Sequence, residues 1–181
     1  MNLSDYQSKA MRTSPHDHDR IKNGCLGLIG ESGELVDLVK KFMFQSGKNP
    51  PVPVDEITKE LGDILWYCAE LCEGLGVQFK EMCPIVEAVS CEWNERRAEK
   101  IAICLSKDAI NAYNDYILSI RPNEPEKTSY LVNDILIRVS WFASMIGKSL
   151  SDIADENIAK LQARYPDGFR AERSLNRGEE V

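Results

Sequence analysis

Apolar residues recur at spacings of three and four along nearly the whole chain, and no segment shows the two-residue alternation of a half-buried strand. This spacing predicts α-helices throughout. Breaks in the pattern divide it into helical segments at about 4–13, 19–44, 55–75, 84–120, 128–146 and 151–164, of which the fourth is one broken helix or two consecutive ones. We therefore predict an all-α helical bundle.

Glycine and proline set the boundaries of these segments. Three prolines and a glycine follow the second segment and cannot continue its helix. Gly76 and Gly147 stand at the ends of two later helices, where a glycine commonly ends the helical run. The run RPNEPEK at 121–127 is the clearest interior linker.

Four carboxylates lie in two pairs on the second and third segments, Glu31 with Glu34 and Glu60 with Asp63. Each pair has i, i+3 spacing, which places both side chains on one face of a helix. Apolar residues accompany both pairs at helical spacing, and burying four unneutralised carboxylates together would be prohibitive. Mg²⁺ and Mn²⁺ prefer carboxylate oxygens. One such pair is common on solvated helices, but two pairs with apolar flanks favour a divalent-cation site.

The two motifs resemble those of a known family. The run from Gly27 to Lys41, followed by the run from Glu60 to Tyr67, is similar to MazG-like members of the all-α nucleoside triphosphate pyrophosphohydrolases, which include the dimeric dUTPases. Residues 149–177 also resemble the end of small MazG-like proteins, so the resemblance covers both ends of the chain and not the middle. It implies that the four carboxylates hold Mg²⁺, with Mn²⁺ as a substitute, against the triphosphate of a nucleotide.

The resemblance also implies a reaction and substrate-binding residues. The expected reaction is hydrolysis of a nucleoside triphosphate, with a dNTP expected, between its α and β phosphates. Asn157, Lys160 and Arg164 lie on one face of the last helix and match positions that face the triphosphate in the family. Lys40 and Lys41 end the first metal-binding helix, and either contact phosphate or stabilise the helix end.

The general base stays open at this stage. Many relatives have another glutamate directly before the first metal-binding one, where this chain has Gly30. A hydroxide bound to the cation, or Glu34 through its outer oxygen, could serve instead. Gly30 and Gly33 also weaken the helix locally, which suggests close approach of another backbone or of a ligand.

A weak internal repeat connects the two halves of the chain. The tripeptide Asp-Ile-Leu that begins at Asp63 recurs at Asp134, and Gly76 has a counterpart in Gly147, both 71 residues later. We predict a duplication whose second copy is degenerate, since Leu131 stands where the first copy has a metal-binding glutamate. The expected single domain then consists of a metal-binding half, a degenerate repeat or insertion, and a C-terminal helix with its tail, at 1–80, 81–148 and 149–181.

Other residues with reactive side chains are interpreted as structural. Trp66 and Tyr67 follow a metal-binding aspartate, and we expect packed core there. His16 and His18 flank Asp17 in a polar run that is interpreted as a solvated turn. The six cysteines fall mostly within helical apolar patterns and are predicted to be small buried residues, without a disulfide or a zinc site.

Composition narrows the classes of partner. The 181 residues with 43% hydrophobic content suit one domain, and the net charge of −7 with no basic stripe argues against a nucleic-acid partner. No apolar stretch is long enough to span a membrane and the N-terminus does not resemble a signal peptide, so we expect a cytoplasmic protein. A homodimer is expected, with Ile135, Val139, Phe142 and Ile146 supplying either a core or a symmetric interface.

Two other classes of helical protein could carry an acidic cluster. In a helical-bundle binding or scaffold protein, the acidic cluster would be vestigial; the loss of carboxylates from the second copy alone argues against that. A ferritin-like di-iron bundle uses Glu-x-x-His on two helices, and neither histidine has a glutamate three residues before it.

Overall fold

A computed structural model describes residues 1–15, 17–79, 91–117 and 125–169. Six α-helices occur in these ranges: α1 Leu3–Ala10, α2 Arg20–Gln45, α3 Val54–Leu75, α4 Glu95–Ile117, α5 Pro125–Met145 and α6 Leu150–Arg164. A short 3₁₀ turn, Met11–Thr13, follows α1. No strand is present within the described ranges, so the prediction of an all-α fold is confirmed.

The four long helices form a closed bundle. α2 packs against α3 and α4, while α5 packs against α4 and α3. Gly24 lies against Leu71 and Gly27 against Tyr67, so α2 and α3 run antiparallel. α6 lies across α3 and α1. The bundle therefore brings the two carboxylate motifs side by side and adds the C-terminal helix next to them.

Helix ends follow the predicted boundaries with two corrections. α1 begins at Leu3, one residue before the predicted start, because the side chain of Asn2 caps the helix and accepts a hydrogen bond from the Asp5 N–H at 2.8 Å. α5 begins at Pro125, inside the segment predicted as a linker, and not at about residue 128. A proline fits the first turn of a helix, where its missing N–H would have no helical partner. The predicted segment before residue 91 lies largely outside the described residues.

The expectation of a solvated turn at His18 is wrong. The Glu70 side chain is fully buried, and it contacts His18 Nε2 through one oxygen and Arg20 Nη1 through the other, at 3.1 Å. A buried carboxylate without partners would be very costly. His18 and Arg20 therefore join the start of α2 to the C-terminal part of α3. His16 lies outside the described residues.

Three of the cysteines, Cys25, Cys68 and Cys72, are buried in the core as predicted. Cys91 and Cys104 are partly exposed, and no disulfide joins cysteines of the described ranges. Cys83 lies outside those ranges.

The predicted repeat has counterparts in the packing of α3 and α5. Buried residues on α5 follow buried residues on α3 by 71 positions, in the pairs Leu61 and Val132, Ile64 and Ile135, Leu65 and Leu136, Cys68 and Val139, and Leu71 and Phe142. Both helices end at a glycine with positive φ, 69° at Gly76 and 75° at Gly147, a conformation that favours glycine. Matching backbone hydrogen bonds close the two ends, Val77 N–H to Cys72 at 2.9 Å and Lys148 N–H to Ala143 at 3.0 Å.

These shared features favour the duplication, which stays a prediction. They also place Ile135, Val139 and Phe142 in the core of the chain itself. Of the two roles expected for these residues, the core is therefore the correct one, and a homodimer has to use other surfaces.

Candidate functional site

Three carboxylates meet where α2 crosses α3. Glu31 comes from α2, whereas Glu60 and Asp63 come from successive turns of α3. One ligand oxygen from each lies within 4.8 Å of the other two, and all three side chains are partly buried. We call these residues the carboxylate triad. Oxygen donors at this separation suit a hard divalent cation.

Glu34 lies beside the triad and is not part of it. Its side chain is exposed and lines a cavity of about 370 Å³ together with Glu60. The structure therefore brings together three of the four predicted ligands, while the fourth lies one helical turn away on the solvent side. Glu34 is still close enough for its charge to raise the pKa of Glu31 and of Glu60.

The triad carries more negative charge than its surroundings neutralise. The pKa of Glu31 is raised from 4.5 to about 7, first by burial and then by the charges of Asp63, Glu34 and Glu60, against a lowering effect of Lys160. Burial also raises the pKa of Glu60, with Glu34 and Asp63 acting in the same direction. A bound cation would relieve both penalties, since it favours the ionised carboxylates.

The last helix supplies the polar partners of Asp63. Lys160 Nζ donates to both carboxylate oxygens, at 2.5 and 2.6 Å, and Asn157 Nδ2 donates to one of them at 3.3 Å. Asn157 Oδ1 in turn accepts from the buried Tyr6 hydroxyl at 2.8 Å. A Cβ at Gly62 would lie 2.8 Å from Asn157 Nδ2, so this glycine permits the close approach of α6 to α3.

A cavity of about 190 Å³ opens beside the triad. Charged groups of its lining are Glu31, Asp63, Lys160 and Arg164, and its aromatic groups include Trp66, Tyr67 and Tyr165. We call it the carboxylate cavity. Its lining thus combines carboxylates, cationic side chains and aromatic rings.

Trp66 and Tyr67 pack against the hydrophobic core, as expected, and they also form part of the cavity wall. Both are partly exposed, and their rings meet edge to face with centroids 4.9 Å apart. Trp66 Nε1 donates to Thr13 Oγ1 at 3.0 Å, which fixes the indole. The Tyr67 ring packs closely against Gly27. A Cβ at this position would lie 2.1 Å from the phenol ring, so glycine leaves the room that the ring needs.

Lys40 and Lys41 lie at the far end of α2. Both pair with Asp37, Lys41 Nζ at 2.7 Å. Lys41 lines the cavity on the Glu34 side of the triad, whereas Lys40 does not. Gly30 and Gly33 line the same cavity, and a Cβ on either would meet no described atom within 4 Å. Of the two explanations for these glycines, close approach of a described backbone is therefore wrong, and the ligand explanation stays open.

Sequence reasoning did not single out Asn23, which lines the carboxylate cavity. A signal was present, because Asn23 precedes Glu31 by eight residues and so lies near it on one face of α2. Tyr67 follows Asp63 by four residues and shares its face in the same way. Residue spacing identifies which face of each helix these side chains share. It does not show whether a cavity lies over that face.

One segment of the chain is similar to a known family. The model of the MazG nucleotide pyrophosphohydrolase domain matches residues 21–90, a segment that contains all four acidic motif residues. This match confirms the resemblance drawn from the two motifs. The chain is also similar to the Gene 37 protein of Mycobacterium phage L5, with 40% identity over 53 residues, which is 29% of this chain and 46% of that relative. The chain thus matches less than half the length of this relative.

No solved structure matches the chain. Within the described ranges, none of the helices has the length and apolar character that a membrane span requires.

Proposed function

We propose that this chain is a divalent-cation-dependent pyrophosphohydrolase that converts a nucleoside triphosphate, with a dNTP as the expected substrate, to a nucleoside monophosphate and pyrophosphate. The observation that carries the proposal is the carboxylate triad, two of whose members line a cavity with Lys160 and Arg164. All three acids fall in the segment that matches the MazG domain.

The donor set fits Mg²⁺, and Mn²⁺ as its substitute. Three carboxylates from two helices provide oxygen ligands and leave the cavity side open, which suits an ion that keeps some positions for water or phosphate. When bound, such a cation neutralises phosphate oxygens and orients the triphosphate for in-line attack by water. In this proposal Glu31, Glu60 and Asp63 hold the cation. Glu34 lies on the solvent side of the triad and is not a ligand.

Lys160 and Arg164 are proposed to bind the phosphates. The Lys160 ammonium has three donors, so it can hold Asp63 and still donate to a phosphate oxygen. Arg164 lies one turn further along α6 and lines the same cavity. Together they would stabilise the negative charge that develops on the leaving pyrophosphate. Asn157, anchored by Tyr6, would keep Asp63 in position.

The aromatic wall is proposed to accept the nucleoside. A base can stack on or lie against the rings of Tyr67 and Trp66, which are held in place by their own contacts. The amide of Asn23 lines the same cavity and can both donate to and accept from a base edge.

Glu34 is proposed as the general base. It is exposed and lies outside the triad, so its carboxylate is available to accept the proton of the attacking water. Glu34→Gln should therefore lower kcat while leaving the affinity for Mn²⁺ within about twofold, in contrast to Glu60→Gln.

A panel assay tests the function directly. The full chain is incubated with each common NTP and dNTP in Mg²⁺, in Mn²⁺ and in EDTA, and both pyrophosphate and monophosphate are quantified. The proposal predicts equal amounts of the two products with at least one substrate, and none in EDTA. Release of inorganic phosphate alone would contradict cleavage between the α and β phosphates. No turnover of any nucleotide by the folded chain would favour the scaffold alternative.

A further inference from the structure

A third cavity, larger than the two described above, lies between α4 and α5 and has a volume of about 560 Å³. Four cationic side chains line it, Arg96, Arg97, Lys100 and Arg138. Ile101 and Cys104 are among its less polar lining residues, and Trp141, which is 49% exposed, is its aromatic group. We call it the basic cavity. Nothing in the function proposed above uses it.

Among the residues that the structure describes, few acids compensate the positive charge of this cavity. Arg96, Arg97 and Lys100 are exposed, and none of the three forms an ion pair with a residue of the described ranges. Glu95 and Glu99 are their neighbours on α4 and do not line the cavity. Four cationic side chains thus line one cavity of a chain whose net charge is −7.

Arg138 is held differently from the other three. Its Nε donates to Asp108 Oδ2 at 2.6 Å, and Asp108 is only 7% exposed. A guanidinium has five N–H donors, so this bond orients the group while four donors remain. A fixed arginine with unused donors is well suited to bind phosphate oxygens.

The basic cavity corresponds in position to the metal-binding region of the first half. Buried residues of α4 follow those of α2 by 70 positions, in the pairs Leu28 and Ala98, Ser32 and Ala102, Leu35 and Leu105, Val39 and Ala109, and Phe42 and Ala112. At the same offset Ile101 stands for Glu31 and Cys104 for Glu34, and both line the basic cavity. The first half presents acidic side chains that require a bound metal ion. The second half presents apolar side chains surrounded by arginine and lysine side chains.

We infer that the basic cavity binds a second nucleotide through direct contacts of its phosphates with arginine and lysine, without a divalent cation, and with the base against Trp141. Its volume lies within the range of small-molecule sites, about 300–1,000 Å³. Inorganic phosphate would contact only the arginine and lysine side chains. A nucleotide would also cover the indole of Trp141 and the apolar lining. A nucleotide therefore matches the whole lining.

Binding in EDTA separates this site from the catalytic one. ATP is titrated into the full chain in excess EDTA, with equilibrium dialysis for stoichiometry and tryptophan fluorescence as a second readout. We expect saturable binding of one ATP per chain, retained in Asp63→Asn. Trp141→Phe should abolish the fluorescence change, which distinguishes this indole from Trp66 in the carboxylate cavity. This inference rests on ATP binding in EDTA, whereas the proposed function is tested by product release in Mg²⁺. Either one can therefore fail without the other.

Charge reversal provides the matched control. Lys100→Glu should weaken ATP binding at least about tenfold, because it replaces a phosphate contact with a repulsive charge. Lys107→Glu makes the same change at an exposed position of α4 that does not line the basic cavity, and should change affinity less than about twofold. Circular dichroism confirms that both variants are folded.

Three results would overturn the inference. The first is no saturable ATP binding by the wild-type chain in EDTA. The second is an equal loss of affinity in the two lysine variants. The third is inorganic phosphate competing as strongly as ATP does, because the base and Trp141 would then contribute nothing.

Discussion

The helix pair α2–α3 and the helix pair α4–α5 share their packing and differ in the charge of the groove between them. Their buried positions correspond at offsets of 70 and 71 residues. The groove of the first pair presents the carboxylate triad, whereas that of the second presents arginines and a lysine. Buried positions therefore specify the fold, and the partly exposed positions between them determine which charge each groove attracts.

Asp108 and Asp134, which lie on α4 and α5, are placed where they cannot bind one metal ion together. Asp108 is neutralised by Arg138, and Asp134 is exposed on α5. Within the described ranges, the one group of three acids with ligand spacing is on α2–α3. We therefore propose that hydrolysis takes place at the first pair alone.

The largest expected effect is the difference between Asp63→Asn and Asp134→Asn. Asp63 is a proposed ligand and accepts two bonds from Lys160, so its amide should lower kcat/KM at least about a thousandfold. Asp134 is its exposed counterpart 71 residues later, and its amide should change kcat/KM less than about twofold. Pyrophosphate release measures both, with circular dichroism as the folding control. Similar losses in the two variants would indicate a composite site instead.

A smaller effect is expected at Lys160. Lys160→Gln keeps a polar side chain but removes the charge beside Asp63, and kcat should fall about a hundredfold. Lys148→Gln removes a lysine that lies just before α6 and pairs with the exposed Glu156 on that helix, and should leave kcat nearly unchanged. Steady-state kinetics distinguishes the two. A Lys160→Gln enzyme with wild-type kcat would remove this residue from the phosphate-binding group.

Substitutions of two glycines test the packing around the triad. Gly62→Ala should destabilise the fold by about 1–3 kcal/mol, because the new Cβ would meet the buried Asn157. Gly30→Ala should stabilise it by about 0.5–1 kcal/mol, since its Cβ enters open space on a helix. Urea unfolding followed by circular dichroism gives both values. If the alanine at position 62 proved neutral, the docking of α6 described above would be incorrect.

The smallest effect expected is a pH dependence of stability. The Glu31 pKa is raised by burial from 4.5 to about 7, so the folded chain retains a proton that the unfolded chain loses. Stability from this proton is fully present below pH 4.5 and is lost as pH rises through about 7. In EDTA, Tm should therefore fall over this interval, and Glu31→Gln should flatten the fall.

Excess Mg²⁺ should raise Tm most at the upper end of that interval, where the ligands are ionised. Thermal unfolding in EDTA and in Mg²⁺ at a series of pH values checks both statements. A Tm in EDTA that rises between pH 4.5 and 7, in a manner that depends on Glu31, would contradict the buried acid.

The helices could be predicted because their signals are local. Apolar spacing identifies α2, α3 and α6, and Gly76 marks the end of α3. The start of α5 was misplaced because Pro125 suits either a linker or a first helical turn. Local composition alone does not distinguish these two roles.

The site was predictable only in part, because its remaining features depend on how helices meet. Spacing places Glu31 and Glu34 on one face, but the crossing with α3 decides that only Glu31 joins the triad. The contact of His18 with Glu70 joins residues 52 positions apart, and no local pattern encodes it. The depth of the carboxylate cavity likewise depends on where α6 docks.

The most direct test of the central claim is a crystal structure of the chain with Mn²⁺ and a non-hydrolysable α,β-methylene dNTP. The account predicts anomalous density from Mn²⁺ within coordination distance of Glu31, Glu60 and Asp63, next to the α and β phosphates, and no such density at Asp108 or Asp134. Density for the cation in the groove of α4–α5, or a triphosphate bound away from the triad, would contradict it.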